Sequence, residues 1–352
     1  MNLVVNGFNI IEILLVTFLI SLFIVIISKR IAEHIGAMDI PNERKVHSKP
    51  MPRLGGIGIF ASFLFGYVLY GKLTSQMISI LISGFILFFL GFIDDIKPLR
   101  AKDKFLVQIV VALIVVFYGK LHIGALTMFG YTLDFPILLK QIISVFFILG
   151  TINAINLIDG LDGLCGGISL IYFITIAIIA FLTNQTTGLD IVLCIIMIGA
   201  ILGFLVQNFP PAKTFMGDCG STFLGFMIAT ISLLGFKTAT LTSLVIPLVI
   251  LAIPIFDTLL AILRRLIKHK SIGEADKEHL HHQLLKMKFS TKKTVLIIYA
   301  INILFSTVTI FYSIGHSRTS MIIYIIPMLI LIYIVWQTDI LFEHKKKDQK
   351  GE

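Results

Sequence analysis

Apolar stretches of membrane-spanning length recur along this whole 352-residue chain, in which 57% of residues are hydrophobic and only 14% are charged. A soluble protein of this size could not bury so much apolar surface in one core. A helix needs about 20 mainly apolar residues to cross a bilayer. The chain is therefore predicted to be an all-α, polytopic integral membrane protein that forms one domain, residues 1–352.

Eleven membrane-spanning helices are predicted, with the N-terminus outside and the C-terminus cytoplasmic. They cover residues 8–28, 55–70, 75–93, 105–118, 137–155, 168–183, 189–206, 221–236, 242–263, 294–313 and 319–341. The fourth is short for a span. Without it, however, the nine Lys and Arg residues of 264–293 would lie outside, against the positive-inside rule.

This topology puts most basic residues on the cytoplasmic side. The cytoplasmic segments hold 24 of the 29 Lys and Arg residues; they are the loops 29–54, 94–104, 156–167, 207–220 and 264–293 and the charged tail 342–352. The net charge of +9 is explained by topology and attraction to anionic phosphates, so no nucleic-acid partner is expected.

Four polar motifs follow odd-numbered spans, so all four are predicted to face the cytoplasm. They are Asp94-Asp95, the segment NAINLIDGLDG at 153–163, the segment FMGD at 215–218, and His279-Leu-His281-His282. Carboxylates are costly near hydrocarbon and mark function there. Their convergence on one surface predicts a metal and phosphate site that faces a lipid substrate.

Asp94 and Asp95 repel each other unless a cation or a shared proton relieves them. A basic cluster that ends at Lys104 follows directly, and an acidic pair beside basic residues suits Mg²⁺ and phosphate. The alternative is a polar helix end at the membrane interface. Arg53, beside Gly55 and Gly56, is either a phosphate contact or a topology signal.

In the second motif, Asp159 and Asp162 are three residues apart and would share a face if the segment were helical. Asn153 and Asn156 have the same spacing, and their amide oxygens can bind a hard cation. The alternative is a glycine-rich turn with one capping aspartate. That alternative explains one carboxylate but not two asparagines and two aspartates together.

Asp218 lies between two glycines just before the eighth span, where it either caps the helix or helps to hold Mg²⁺ and a pyrophosphate. Phe215 could stack on a base, but on sequence alone packing at the interface is favoured. The histidine motif lacks the HExxH spacing of zinc proteases, so phosphate contacts or proton transfer are favoured over zinc. Asp257, after Pro254 inside the ninth span, is either functional or bonded to a neighbouring helix.

Other classes of protein fit less well. A proton-coupled transporter needs ionisable groups near mid-bilayer and often shows repeated halves, whereas these acids lie at one interface and no repeat is visible. A CDP-alcohol phosphatidyltransferase would share the start of the Asp159–Asp162 motif, but Gly166-Gly167 stand where its Ala-Arg pair belongs.

The four motifs, in this order on an eleven-span chain, resemble the polyprenyl-phosphate N-acetylhexosamine-1-phosphate transferase family (glycosyltransferase family 4). The likeness covers residues 29 to about 295. It is greatest to transferases that attach GlcNAc-1-phosphate to undecaprenyl phosphate and so start wall teichoic acid, O-antigen or related glycans. The relative that uses UDP-MurNAc-pentapeptide typically has three consecutive histidines and a Thr-Met-Gly-Gly loop. The His-Leu-His-His motif and the Pro52-Arg53-Leu-Gly-Gly segment therefore favour UDP-GlcNAc.

The resemblance implies roles for thirteen residues. Asp218 and Asn156 would bind Mg²⁺, with Mn²⁺ as a substitute. The expected substrate-binding residues are Phe215, which would stack on uracil, Lys104, which would contact phosphate, Asn153 and Arg53. The expected catalytic residues are Asp94 and Asp95, one or the other of which would act on the lipid phosphate, Asp159 and Asp162 at the nucleotide, and His279, His281 and His282 over the phosphates.

The implied reaction moves GlcNAc-1-phosphate from UDP-GlcNAc to undecaprenyl phosphate, releasing UMP. It would be the first membrane step of a cell-envelope glycan such as wall teichoic acid, at the cytoplasmic face of a bacterial cell membrane. Phospho-MurNAc-pentapeptide transfer is the alternative reaction. Membrane lipid is an expected partner, and a homodimer is left open.

Overall fold

The architecture is a bundle of helices, seen in a computed structural model that describes residues 4–41, 49–128, 131–237, 245–267 and 279–315, with Leu329. In chain order the α-helices of this part are α1 (Ile10–Ile35), α2 (Gly56–Tyr70), α3 (Ser75–Ile96), α4 (Ala101–Leu113), α5 (Ile137–Ile158), α6 (Leu164–Leu182), α7 (Leu189–Asn208), α8 (Asp218–Lys237), α9 (Val245–Ile250), α10 (Ala252–Ile267), α11 (Leu280–Lys286) and α12 (Thr291–Gly315). The predicted all-helical class is confirmed at this level.

Three short antiparallel strand pairs supplement the helices, and the sequence analysis did not predict them. They are β1 (Val4–Val5) with β2 (Phe8–Asn9), β3 (Met38–Asp39) with β4 (Met51–Pro52), and β5 (Leu126–Met128) with β6 (Tyr131–Leu133). The β3–β4 pair positions Asp39 and Arg53 between α1 and α2, and both side chains belong to the candidate active site described below.

Seven of the described helices are long and apolar enough to cross a membrane: α1, α3, α5, α6, α7, α8 and α12. Each coincides with a predicted span, so the multi-pass character is confirmed. The helix α2 is apolar but shorter, and α4 continues as a π-helical turn, Ile114–Tyr118, over the fourth predicted span. The eleventh span and the tail 342–352 lie outside the described residues apart from Leu329. The count of eleven and the orientation stay predictions.

The ninth predicted span is broken, which corrects the expectation of one helix over 242–263. Its described part forms α9 and α10, with Leu251 between them. Proline lacks an N–H group and collides with the carbonyl four residues earlier, so Pro254 leaves Ile250 O without its helical donor. Asn302 of α12 supplies that donor, at 3.1 Å from its side-chain nitrogen.

Helices also extend further into the predicted loops than the apolar runs do. The helix α5 ends at Ile158, α6 begins at Leu164 and α8 begins at Asp218. Hydrophobicity marks the part of a helix that lies in hydrocarbon, whereas the backbone hydrogen bonds continue wherever polar side chains are tolerated. Asn153 and Asn156 therefore both stand on α5, near its C-terminal end.

The most buried span is α8, with 94% of its apolar window buried against 28% for α1. Helices α2, α3 and α5 pack against it, and each meets it at a glycine. A Cβ atom built on Gly56 would lie 2.4 Å from Gly220 Cα, one on Gly91 would lie 2.5 Å from Cys219 N, and one on Gly225 would lie 2.7 Å from Ile152 Cα. Small residues allow such close backbone approach between membrane helices. The helix that begins at Asp218 is thus held directly against the helices that carry the other motifs.

We expect Gly91→Ala to destabilise the protein by about 1–3 kcal/mol, because the new methyl group must push α3 away from the backbone of α8. Gly150→Ala is the matched control, since a Cβ there has no atom within 4 Å. Melting of the two variants in detergent would measure the difference. Equal melting temperatures would contradict the glycine contact between α3 and α8.

Candidate active site

The first turn of α8 is capped by a carboxylate from α3. Asp95 Oδ1 accepts from the backbone N–H of Asp218 at 2.8 Å, and Asp95 Oδ2 accepts from that of Cys219 at 3.0 Å. The first N–H groups of a helix lack intrahelical partners and favour negative charge. Gly217 has φ +74°, and a Cβ on it would lie 2.4 Å from Asp95 Oδ2. The glycine before Asp218 is therefore required for this cap.

Two cations hold the acidic residues together. Lys104 Nζ lies 3.0 Å from Asp94 Oδ2 and 2.8 Å from Asp218 Oδ2. The guanidinium of Arg53 lies 3.4 Å from Asp95, 3.8 Å from Asp218 and 3.6 Å from Asp39. Burial alone would lower the pKa of Arg53, but these carboxylates outweigh it and raise the pKa. We call these residues the ion-pair network: Asp39, Arg53, Asp94, Asp95, Lys104 and Asp218.

Backbone hydrogen bonds join the Arg53 segment to the FMGD segment. The N–H of Phe215 donates to Pro52 O at 2.7 Å, and the N–H of Gly55 donates to Phe215 O at 2.9 Å. Two segments about 160 residues apart in sequence are thereby aligned side by side, which brings Arg53 to Asp218.

The Asn/Asp motif ends in a turn. The segment 159–163 is thus not helical, which was the condition for Asp159 and Asp162 to share a face, and the glycine-rich turn that was the alternative is present. The chain leaves α5 after Ile158, and Gly163 has φ +75° just before α6. Asp162 Oδ2 accepts from the N–H of Ala212 at 2.9 Å. Asn208 Oδ1 accepts from the N–H of Gly163, also at 2.9 Å. The turn 159–163 is thus fastened to the segment after α7.

Charge and burial disfavour ionisation of Asp159. Burial raises the pKa of this carboxyl to about 8, the charge of Asp218 acts in the same direction, and Arg53 opposes the shift. In the absence of ligands, the Asp159 carboxyl group therefore takes up a proton readily.

The three histidines have different environments. His282 faces a cavity, whereas His279 and His281 are buried, at 5% and 2% exposure. Burial lowers the pKa of His281 to about 3, so this ring is neutral at physiological pH. His279 Nδ1 lies 2.9 Å from Asp257 Oδ2, which resolves the hydrogen-bonding alternative for Asp257: its partner is the histidine segment.

A cavity of about 430 Å³ lies where these segments meet, within the size range of small-molecule sites. Seven predicted site residues line it: Arg53, Asn156, Asp159, Asp162, Phe215, Asp218 and His282. Asp94, Asp95 and Lys104 are not among its lining residues; Asp95 and Lys104 contact Asp218 directly, and Asp94 is linked to it through Lys104. The remaining predicted residues, Asn153, His279 and His281, are not part of its wall; Asn153 donates to Gln108 of α4 at 2.8 Å. The individual roles of all thirteen residues stay predictions.

Sequence reasoning missed several residues of the wall, among them Asp39, Asn208 and Thr291. Each lies in the same part of the chain as a predicted site residue. None, however, stands in a cluster of polar residues of its own. Asp39 could have been suspected as an acid in a basic loop. Asn208 could not, because its function in the fold is to bond Gly163 and Thr214 across the turn.

The described residues contain no group of three or more His, Cys, Asp or Glu side chains arranged to hold a metal by themselves. Asp218 and Asn156 nevertheless fit a Mg²⁺ ion, since Mg²⁺ at phosphate sites is usually bound by one or two carboxylates together with substrate phosphates. The amide nitrogen of Asn156 donates to Ser221 Oγ at 2.8 Å. Its carbonyl oxygen is therefore the atom that it can offer to a cation.

Comparison with known sequences shows to which protein family this chain belongs. Residues 77–236 match the sequence profile described as "Glycosyl transferase family 4". A Bacillus subtilis (strain 168) protein named "Probable undecaprenyl-phosphate N-acetylglucosaminyl 1-phosphate transferase" is 42% identical over 300 residues, which are 83% of either chain. The chain belongs to glycosyl transferase family 4.

Other members of family 4 share this similarity. "Undecaprenyl-phosphate alpha-N-acetylglucosaminyl 1-phosphate transferase" of Salmonella typhi is 31% identical, over 80% of this chain and 78% of that protein. "Decaprenyl-phosphate N-acetylglucosaminephosphotransferase" of Mycobacterium tuberculosis (strain CDC 1551 / Oshkosh) is 32% identical, over 77% and 74%. The first three motifs lie within the residues 77–236 that the profile matches.

In this family 4 protein, we expect Asp95→Ala to cost about 3 kcal/mol of stability, because two buried N–H groups of α8 lose their side-chain acceptor. Asp95→Asn keeps one acceptor oxygen and should cost less. Asp103→Ala, at an exposed aspartate paired with Arg100, is the control and should change little. Melting temperatures in detergent would rank the stabilities of the three variants. Equal losses of stability for Asp95→Ala and Asp103→Ala would contradict the capping role of Asp95.

Asp159 predicts a pH dependence of stability in this family 4 protein. Its folded-state pKa of about 8 exceeds the unfolded value of about 4, so folding favours the protonated form. The resulting stabilisation is complete below about pH 4 and is lost as pH rises through about 8. Without divalent ions and nucleotide, the wild type should lose stability over this window relative to Asp159→Asn. Parallel profiles of melting temperature against pH for the two proteins would refute this prediction.

Proposed function

We propose that this chain transfers GlcNAc-1-phosphate from UDP-GlcNAc to undecaprenyl phosphate, forming undecaprenyl-diphospho-GlcNAc and UMP in a Mg²⁺-dependent reaction. The observation that carries the proposal is the cavity wall, where Phe215, Asn156 and Asp218 stand together beside the N-terminus of α8. An aromatic ring suits a nucleobase, and a helix N-terminus with carboxylate and amide oxygens suits a cation and phosphates.

The charge balance of the ion-pair network supports the need for a divalent cation. Its carboxylates Asp39, Asp94, Asp95 and Asp218 outnumber its two cations, Arg53 and Lys104. A pyrophosphate would meet these carboxyl groups as well as the two cations. When bound, Mg²⁺ would neutralise carboxylate charge and part of the charge of the phosphates.

The proposed reaction is direct phosphoryl transfer. An oxygen of the lipid phosphate attacks the β-phosphorus of UDP-GlcNAc, forming a new P–O bond. The bond from the β-phosphorus to the bridging oxygen breaks, and UMP leaves with the electron pair of that bond. Both reacting groups are anionic, so Lys104 and Arg53 would reduce their repulsion and stabilise charge in the transition state.

The surroundings of the reaction follow from the predicted topology. Nucleotide sugars are soluble and the acceptor is a membrane lipid, so the cavity would open to the cytoplasmic face of a bacterial membrane, within reach of the lipid headgroup. The names of the relatives support a polyprenyl phosphate acceptor and an N-acetylglucosaminyl 1-phosphate donor group. Initiation of wall teichoic acid or a related glycan remains a prediction, and the oligomeric state stays open.

The test is UMP release by purified protein from UDP-GlcNAc and undecaprenyl phosphate, with Mg²⁺ and after its removal by a chelator. Release that requires all three components is the expected result. No release would reject the proposal, and release from UDP-MurNAc-pentapeptide alone would favour phospho-MurNAc-pentapeptide transfer.

Asp218→Asn should lower turnover by about 100-fold or more, because the position loses its charge for a cation and its ion pairs with Lys104 and Arg53. Asp103→Asn is the control, since Asp103 pairs with Arg100 at the exposed start of α4. Turnover is compared at equal amounts of folded protein. Near-normal turnover in Asp218→Asn would remove its proposed metal role.

A further inference from the structure

Asp257 is a buried carboxylate inside α10 and outside the cavity wall, at 5% exposure. A charged group at such depth needs partners, because burial without them is costly. Its two oxygens are both used by one segment. Oδ2 lies 2.9 Å from His279 Nδ1, and Oδ1 accepts from the N–H of Leu280 at 2.9 Å.

These two contacts define the start of α11. His279 is the residue before this helix and Leu280 is its first residue. A carboxylate only accepts hydrogen bonds, so His279 Nδ1 carries the hydrogen in this pair. Asp257 therefore binds both the side chain of His279 and the backbone N–H of Leu280. These two contacts together determine the position of α11 and its rotation about its own axis.

On the side away from Asp257, the histidine segment 279–282 is held by side-chain packing. The rings of His279 and His281 are parallel, with 5.7 Å between centroids and 3° between planes. A Cβ on Gly160 would lie 2.5 Å from His281 Nε2. Neither ring nitrogen of His281 has a hydrogen-bond partner among the described residues. His281 thus acts as a neutral spacer between the Asp257–His279 pair and the turn 159–163.

The next residue, His282, is the histidine of this motif that reaches the cavity wall, beside Asp159 and Asp162 of that turn. Its place there depends on the rotation of α11, since neighbouring residues on a helix point in directions about 100° apart. The Asp257 contacts at the start of α11 therefore help to set the rotation that places His282 on the side that faces the cavity.

We propose that Asp257 is a positioning residue of the transferase site: through its bonds to His279 and Leu280 it anchors α11 so that His282 faces the bound phosphates. The inference rests on the proposed function, because it assigns His282 to that reaction. Asp257 acts through the histidine segment and touches no substrate.

The kinetic test is a double-mutant cycle between Asp257→Ala and His282→Ala in the purified full-length protein. Asp257→Ala alone should lower kcat/KM for UDP-GlcNAc by about 10- to 100-fold, the range for residues that orient a functional group. If Asp257 acts through His282, the double variant should be no worse than His282→Ala within about threefold. Losses that multiply in the double variant would overturn the proposal, and so would wild-type kcat/KM in Asp257→Ala.

A structural measurement needs no turnover. Diethylpyrocarbonate modification of each histidine, read by mass spectrometry without substrates, should find His281 protected in the wild type and reactive in Asp257→Ala. Gly160→Ala should expose it as well, by pushing the ring from the other side. Unchanged protection of His281 in both variants would overturn the anchoring.

Two further variants separate positioning from general stability. Asp257→Asn keeps the volume and one acceptor for Leu280, but its amide nitrogen cannot accept from His279, so an intermediate loss of kcat/KM is expected. Asp190→Asn removes another buried carboxylate at the far end of α7, about 27 Å along that helix from Asn208 of the cavity wall, and should leave His281 protected. Exposure of His281 in Asp190→Asn would show a global effect and refute the specific one.

The two proposals can fail separately. If the wild type releases no UMP, the proposed function falls while the modification experiment still reports on the anchoring. If the wild type is active and the losses of kcat/KM in Asp257→Ala and His282→Ala multiply in the double variant, the positioning role of Asp257 is rejected while the proposed function stands.

Discussion

The buried N-terminus of α8 is the constraint on which the site depends. Its first N–H groups lie inside the helix bundle, where unpaired donors are costly. Asp95 of α3 satisfies two of them, and the resulting concentration of negative charge with Asp218 then requires Arg53 and Lys104. One capping interaction therefore ties α3, α4 and α8 and the loop before α2 to one point.

Close helix packing makes this arrangement possible. Gly56, Gly91 and Gly225 let three helices touch the backbone of α8 near or just below its first turns. In a membrane, packing and buried polar contacts hold helices together, because lipid is as apolar as the side chains. The same contacts that stabilise the bundle thus bring carboxylates from separate spans within hydrogen-bonding distance, before any ligand binds.

Residues of the same type within one motif have different roles in the structure, although the motif's composition suggests that they are equivalent. Of the adjacent pair, Asp95 serves the fold through the α8 cap, while Asp94 reaches the cavity residue Asp218 through Lys104. Of the three histidines, His282 faces the cavity, and His279 and His281 hold its segment between Asp257 and Gly160. Residues that look equivalent in a motif can therefore have different tasks, because each side chain leaves the backbone in a different direction.

The amino-acid sequence by itself determined the class of protein, the positions of seven spans and the identity of the polar motifs, because hydrophobic length and intramembrane charge are local properties that composition reveals. It offered the turn at Asp159–Gly163 only as one of two alternatives, and it could not reveal the break in the ninth span or the role of Asn208. The partners of these residues come from distant parts of the chain: Ala212 for Asp162, Asn302 for Ile250 and Gly163 for Asn208. Only the tertiary structure decided which carboxylates face the cavity and which cap a helix, since that choice depends on how closely α3 approaches α8.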